Sequence, residues 1–258
     1  MSVLALRLAG PLQSWGSSAR FARRTTETAP TKSGVIGLLA AALGRERTAD
    51  LSDLAALSFA VRIDQPGTRL RDFQTAHHAD TGKAMPVSER FYLADAVFVA
   101  AVAGEDNLIR SLHEAVRAPV HLPYLGRRSC PPQGPIDLGT RSGDDPTAVL
   151  RDEPWQAADW QKTLHQRRAV VPLSLLSDSV GGGPLGTVLR DQPLSFAPEH
   201  RRYALRNVVT TTVDIPNPGF RPAPQRSKGR HDAPVQVPRH NPEALLTPLP
   251  PQSPLDGH

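Results

Sequence analysis

The chain has 258 residues, enough for one large domain or one domain with an appendage, and 30 Lys and Arg against 25 Asp and Glu leave it at +5. A core of that size needs no cross-links, and the single cysteine, Cys130, excludes a disulfide framework and a multi-cysteine zinc site, so no metal or cofactor is expected. No apolar run approaches the ~20 residues of a membrane span and no basic-then-apolar leader opens the chain, which points to a cytoplasmic protein; the modest basic excess suits a nucleic-acid partner.

Residues 4–8 alternate leucine with smaller or charged residues, the period of a half-buried strand. A basic loop follows, with Arg20, Arg23 and Arg24 beside Trp15 and Phe21, and it leads into an apolar helix. Pro30 bars helix before it, Ser33 is placed to cap it, Val35, Leu38, Leu39, Ala42 and Leu43 share its face, and Gly44 suits a left-handed end. Gln13, Trp15, Gly16 and Lys32-Ser33-Gly34 are therefore candidates for a phosphate cradle. Helix N–H groups favour anions, a cation at a helix start is unfavourable without one, and Trp15 could stack a base.

A short helix carries Leu51, Leu54 and Leu57, residues 58–64 read as a second strand, and Pro66-Gly67 turns the chain into an extended segment over 68–75 with Arg69 and Arg71 on one face. Residues 77–89 are polar and aperiodic, a projecting loop or hairpin flanked by Arg71 and Arg90. Residues 91–103 read as one strand and 105–117 as an amphipathic helix, with a further strand near 135–138. The order matches a ferredoxin-like βαββαβ unit, the layout of RNA-recognition folds. In a turn after Gly126, Arg127, Arg128 and Ser129 can clamp phosphates or a splayed base, while Cys130 reads as a small packed residue.

Residues 141–166 are acidic and irregular, a connector with a short helix that packs Trp155 and Trp160. Strands are expected over 168–176 and 186–190, around Gly181-Gly182-Gly183, and a strand pair over 201–213. After Ile215 prolines punctuate a polar run that supports neither helix nor sheet. The fold class is thus α+β: a ferredoxin-like, RRM-like βαββαβ domain over 1–143 with a projecting loop about 76–90, a smaller β-rich region over 144–215, and an extended or disordered Pro-rich tail over 216–258.

Four strings carry a family resemblance: LRLAGPLQSWG and PTKSGVIGLLAAALG in the first 44 residues, LRDFQT at 70–75, and PYLGRRSCPP at 123–132 followed by LGT at 138–140. In this order and spacing they resemble the CasD family of type I-E CRISPR Cascade subunits, within the repeat-associated (RAMP) superfamily. The resemblance implies a non-enzymatic RNA-binding subunit for antiviral defence that holds the 5′ handle of crRNA and caps the filament of Cascade backbone subunits. It also implies a neighbouring large subunit and target DNA near the 5′ end of the guide. The polar loop would be a thumb, with Met85 and Pro86 as a wedge at its tip. The RNA-binding residues expected on these grounds are Gln13, Trp15, Arg24, Lys32, Ser33, Arg71, Arg90, Arg127, Arg128 and Ser129. The alternative is a metal-independent endoribonuclease processing CRISPR repeat RNA, for which His78, Lys83 and Tyr92 could supply base and acid.

Overall fold

The computed structural model describes residues 1–17, 23–179 and 186–222. All belong to a compact unit, Met1–Pro222. Arg20, Phe21, the triple glycine at 181–183 and the tail beyond Pro222 lie outside the described residues.

The strands and helices run β1 (Ser2–Ala9), β2 (Leu12–Gln13), β3 (Arg23–Arg24), α1 (Lys32–Ala42), α2 (Ser52–Ala55), β4 (Ser58–Gln65), β5 (Thr68–Gln74), β6 (Ser88–Ala94), β7 (Val97–Gly104), α3 (Asp106–Arg117), β8 (Asp137–Ser142), α4 (Pro146–Asp152), α5 (Asp159–Leu164), β9 (Val170–Asp178), β10 (Thr187–Ser195) and β11 (Arg202–Pro216). The expected α+β composition holds. Seven strands form one sheet in the order β10-β11-β9-β4-β7-β1-β8, antiparallel at every pairing. Helices α1 and α3 cover one face of β4, β7 and β1, packing Val35, Leu39, Ile109 and Leu112 against Leu4, Leu6, Phe59 and Phe98. Segment 146–157 covers the other face with Leu150, Trp155 and Ala157. Burial on both faces explains why β7 reads VFVAAVA without polar interruption.

Several expectations are corrected. The single strand over 91–103 is two. Asp95 adopts φ +56, a left-handed conformation that Asp tolerates better than most residues, and the break sends β6 into a separate small sheet and β7 into the large one. The strand pair over 201–213 is one 15-residue strand, β11, which pairs β9 with its C-terminal half and β10 with its N-terminal half. The strands after 143 extend the large sheet: β9 pairs β4 along Ala60–Ile63 and brings β10 and β11 with it. Of the two connector tryptophans, Trp155 is buried, its indole N–H donating to the Asp64 carbonyl at 2.9 Å, whereas Trp160 is 55% exposed. The first tail residues are docked: Asn217 Nδ2 donates to the His165 and Arg168 carbonyls, and Arg221 N donates to the Gln166 carbonyl.

One buried pair ties the connector to the sheet. Arg62 and Asp64, two apart on β4, share a face and are fully buried. Arg62 gives two hydrogen bonds to Asp64 and others to the carbonyls of Leu150, Glu153 and Pro154. Gln156 N donates to Asp64 as well. Burial pushes the Asp64 carboxyl up, against the pull of Arg62.

Candidate nucleic-acid interface

A groove of about 850 Å³ is lined from three parts of the chain. Ser33, Gly34 and Gly37 of α1 contribute one side; the turn from His121 to Pro131 contributes Tyr124, Gly126, Arg127 and Arg128; and the β10–β11 connection contributes Phe196, Arg201 and Tyr203. Arg24, Arg45 and Arg47 complete a lining with six arginines against one acidic residue, Glu46. Arg45 is tied to Asp53. The side chains of Arg24, Arg47, Arg128 and Arg201 have no ion pair or hydrogen bond among the described residues, so their charge is open to a ligand. A concave surface of one sign concentrates anions.

The turn carrying Arg127 and Arg128 is rigid. Leu125 N donates to the Cys130 carbonyl at 2.7 Å, Cys130 N to the Arg127 carbonyl at 2.9 Å, and Ser14 N to the Leu125 carbonyl at 3.1 Å. Gly126 is obligatory: its φ is +84, and a Cβ there would sit 1.8 Å from the Ser14 carbonyl oxygen. Arg127 lies over the Tyr92 ring, 4.8 Å from its centre, and Nη2 donates to the Arg24 carbonyl at 2.8 Å. Its Nη1 is buried without a partner among the described residues, which leaves a charged donor unspent beside the groove. Arg128 and Ser129 are exposed. Cys130 is fully buried and burial pushes its thiol up, so it is a packed residue with little thiolate character.

The phosphate cradle is corrected. Trp15 is 0% exposed. Its ring is covered by α1 at Gly34, where a Cβ would meet the ring at 2.8 Å, and its indole N–H donates to Gln13. Gln13, also buried, donates to the Leu8 and Ala96 carbonyls. Both are internal struts, and no face of Trp15 is open to a base. The cap of α1 is Thr31, whose hydroxyl accepts from Gly34 N, rather than Ser33, which borders the groove with its hydroxyl near Thr31.

Lys32 is likewise 5% exposed. The anion at this helix start comes from the protein itself: Asp191 of β10 accepts from Lys32 N at 2.9 Å, and Lys32 Nζ lies 3.3 Å from Asp178 of β9. Arg206 of β11 bridges the two acids, donating to Asp191 at 2.9 and 2.7 Å and to Asp178 at 2.6 Å. Burial holds the Lys32 ammonium below its ordinary pKa despite Asp178. Burial also pulls on Arg206, but the hydrogen bonds and charges of Asp191 and Asp178 more than offset it and leave the guanidinium raised. Lys32 thus closes a buried network and is not available to phosphate.

Strands β5 and β6 form a full hairpin from Thr68↔Ala94 to Gln74↔Ser88, so the expected 76–90 loop is shorter than its bounds, Ser88, Glu89 and Arg90 being strand. Its other edge is braced by β2, antiparallel, and β3, parallel. Arg71 is paired with Glu89 at 2.6 Å and lies 4.6 Å over the exposed Phe73 ring. Arg90 donates to Ser88. Met85 and Pro86 are exposed beyond the strands. Arg71 and Arg90 are therefore on the hairpin, not on the groove. His78 and Lys83 meet through backbone near the hairpin end, but Tyr92 is 3% exposed and lies four residues inside β6 from Ser88, about 13 Å along the strand. The three groups proposed for cleavage are not assembled.

Residues 3–209 match the family described as CRISPR-associated protein (Cas_Cas5). The chain belongs to this family. It is 37% identical over 237 residues to the CRISPR system Cascade subunit CasD of Escherichia coli (strain K12), covering 83% of this chain and 98% of that protein. It is also similar to a solved chain of a CRISPR RNA-guided surveillance complex (34% identity, TM-score 0.70, 87% of this chain and 95% of the other). A structure described as that of a Cas protein gives 35% identity and a TM-score of 0.64 over 86% and 99% of the two chains.

Sequence reasoning located the 127–129 turn and Arg24. It missed the second lining segment, Phe196, Arg201 and Tyr203, and the network of Asp178, Asp191 and Arg206. No local pattern announces either, because the α1 and α2 residues that these strands meet lie 137 or more residues away.

Proposed function

We propose that this chain is a non-catalytic subunit of a type I-E CRISPR surveillance complex, Cascade, which binds the 5′ handle of crRNA and caps the backbone filament for antiviral defence in the cytoplasm. The observation that carries the reading is the groove, where Arg24, Arg47, Arg128 and Arg201 stand without partners among the described residues, beside the Arg127 turn. Several guanidiniums along one groove with their charge free suit a phosphodiester chain and splayed bases better than a compact metabolite. Family membership and the likeness to CasD support assigning that strand to crRNA.

The four strands β4-β7-β1-β8 with α1 and α3 form, on this reading, a ferredoxin-like unit, since their order is that of βαββαβ with its first and third strands central. The β5–β6 hairpin serves as the thumb, directing Met85 and Pro86 towards guide RNA and the adjoining target DNA, with the large subunit nearby. Guide pairing supplies target sequence specificity while the protein reads RNA shape.

The test is binding of the full chain, alone and with its backbone subunit, to labelled crRNA with an intact or scrambled 5′ handle, followed long enough to detect cleavage. Handle-dependent binding of uncut RNA, weakened by Arg128→Ala, is expected. Handle-blind binding removes the capping role, and cut repeat RNA from nuclease-free protein converts the reading to an endoribonuclease.

A further inference from the structure

The groove has an aromatic lining to which nothing above assigns a role. Phe196, just after β10, and Tyr203, near the start of β11, hold their rings 6.4 Å apart at 53°. Phe196 packs against the core and lies 3.7 Å from where a Gly37 Cβ would be, so it backs the pair; both rings and Arg201 border the groove.

Gly37 itself is unexplained by packing. A glycine inside a helix is destabilising relative to alanine, and here a Cβ would make only ordinary contacts, unlike the obligatory Gly34. Close approach of a ligand to the helix backbone is a second reason for glycine. The position lies in the groove lining next to Phe196.

We infer that Tyr203, backed by Phe196 and flanked by Arg201, is the stacking platform for one unpaired base of the bound RNA, whose backbone passes over α1 at Gly37 towards Arg128. The inference rests on the RNA-binding reading and adds a base site to a groove otherwise argued from phosphates. Single-strand binders join a cationic track to aromatic faces in this way, and stacking tolerates any base because every base has a π-face. The ribbon is held for the purpose: Arg190 Nε donates to the Tyr203 carbonyl, and β10 is tied to the helical layer by Gln192 Nε2 on the Ala55 carbonyl.

The experiment uses the full chain and synthetic crRNA handle oligonucleotides carrying 2-aminopurine, or an abasic nucleotide, at each position in turn. Tyr203→Leu is expected to weaken binding roughly tenfold or more, with Tyr203→Phe restoring most of it. Quenching of 2-aminopurine should occur at one position, and an abasic nucleotide there should cancel the effect of Tyr203→Leu. Gly37→Ala, whose Cβ makes only ordinary contact with Phe196 and so leaves both rings in place, should weaken the same quenching without a lower melting temperature. Wild-type protein that binds handle RNA while Tyr203→Leu binds equally well overturns the platform and leaves the RNA reading standing. Losses that are uniform over all abasic positions also overturn it, as a structural effect. Intact RNA binding with lost capture of a neighbouring subunit makes the surface a protein contact instead. Wild-type protein that binds no RNA removes the underlying reading, and the inference with it.

Discussion

Replacing Asp191 by alanine is the sharpest test of the buried network. Asp191 is fully buried and accepts from Lys32 N and from two nitrogens of Arg206. Its removal strips the α1 start of its anion and leaves Arg206 with Asp178 as its remaining acid. Breaking a buried pair by deleting one partner costs about 3–5 kcal/mol. The lower end applies because Asp178 persists, so about 3 kcal/mol is expected. In a unit of this size each kcal/mol moves the melting temperature about 2–4 °C, which predicts a fall of roughly 6–12 °C. Urea denaturation at neutral pH, followed by circular dichroism, gives the free energy directly. A loss below about 1 kcal/mol would refute the claim that Asp191 holds α1 and β11 together.

Other outcomes follow from the same geometry. Lys32→Met should cost much less than Asp191→Ala and leave the salt dependence of RNA binding unchanged, as measured by titration across ionic strength; a shallower slope would restore Lys32 as a phosphate ligand. Because the folded pKa of Lys32 lies below its ordinary 10.5, the unfolded chain holds the extra proton in that interval, and Lys32 contributes a gain in stability as pH rises towards 10.5. Denaturation of wild type and Lys32→Met at matched alkaline pH should show this gain in wild type only. Arg128→Ala should reduce the slope of log affinity against log salt by about 0.7, the increment for one phosphate of a single strand, with little change in melting temperature. Gly126→Ala should lower stability by at least about 2 kcal/mol and weaken RNA binding as well, since the turn cannot keep its seat on Ser14; an unchanged melting temperature would contradict the contact. Arg62→Met leaves Asp64 buried without its partner, a loss of about 3–5 kcal/mol, and limited proteolysis should then cut first between residues 143 and 160.

The sequence was readable where a residue's role is set by its neighbours. The period of Val35, Leu38, Leu39 and Ala42 placed α1, that of Ile109, Leu112 and Val116 placed α3, and Gly126 before two arginines marked the turn. It was misleading where a distant element takes over. Lys32 looks like an anion ligand because a cation at a helix start needs one, and the protein supplies that anion itself as Asp191. Trp15 looks like a stacking residue in a basic loop, but Gly34 lets α1 settle on its ring. The run at 91–103 has uninterrupted strand propensity, and the conformation of Asp95 breaks it. Tyr203 and Arg201 sit in an ordinary β-rich stretch, and only the curl of β10 and β11 towards α1 brings them to the groove.

The buried network also sets a timetable. A ribosome delivers this chain from its N-terminus, so the segment with most of the recognisable strings emerges first, while Asp178, Asp191 and Arg206 follow more than 140 residues after Lys32. Until then the α1 start holds an uncompensated ammonium and the Lys32 N–H lacks its acceptor, and Phe59 lacks the guanidinium that later lies 5.4 Å over its ring. Contacts this distant in sequence close slowly, because the loop must be ordered before they form. The groove, which takes its aromatic lining from the same late strands, is complete only when nearly the whole described chain has been made. Nascent protein therefore lacks that lining until its fold is closed.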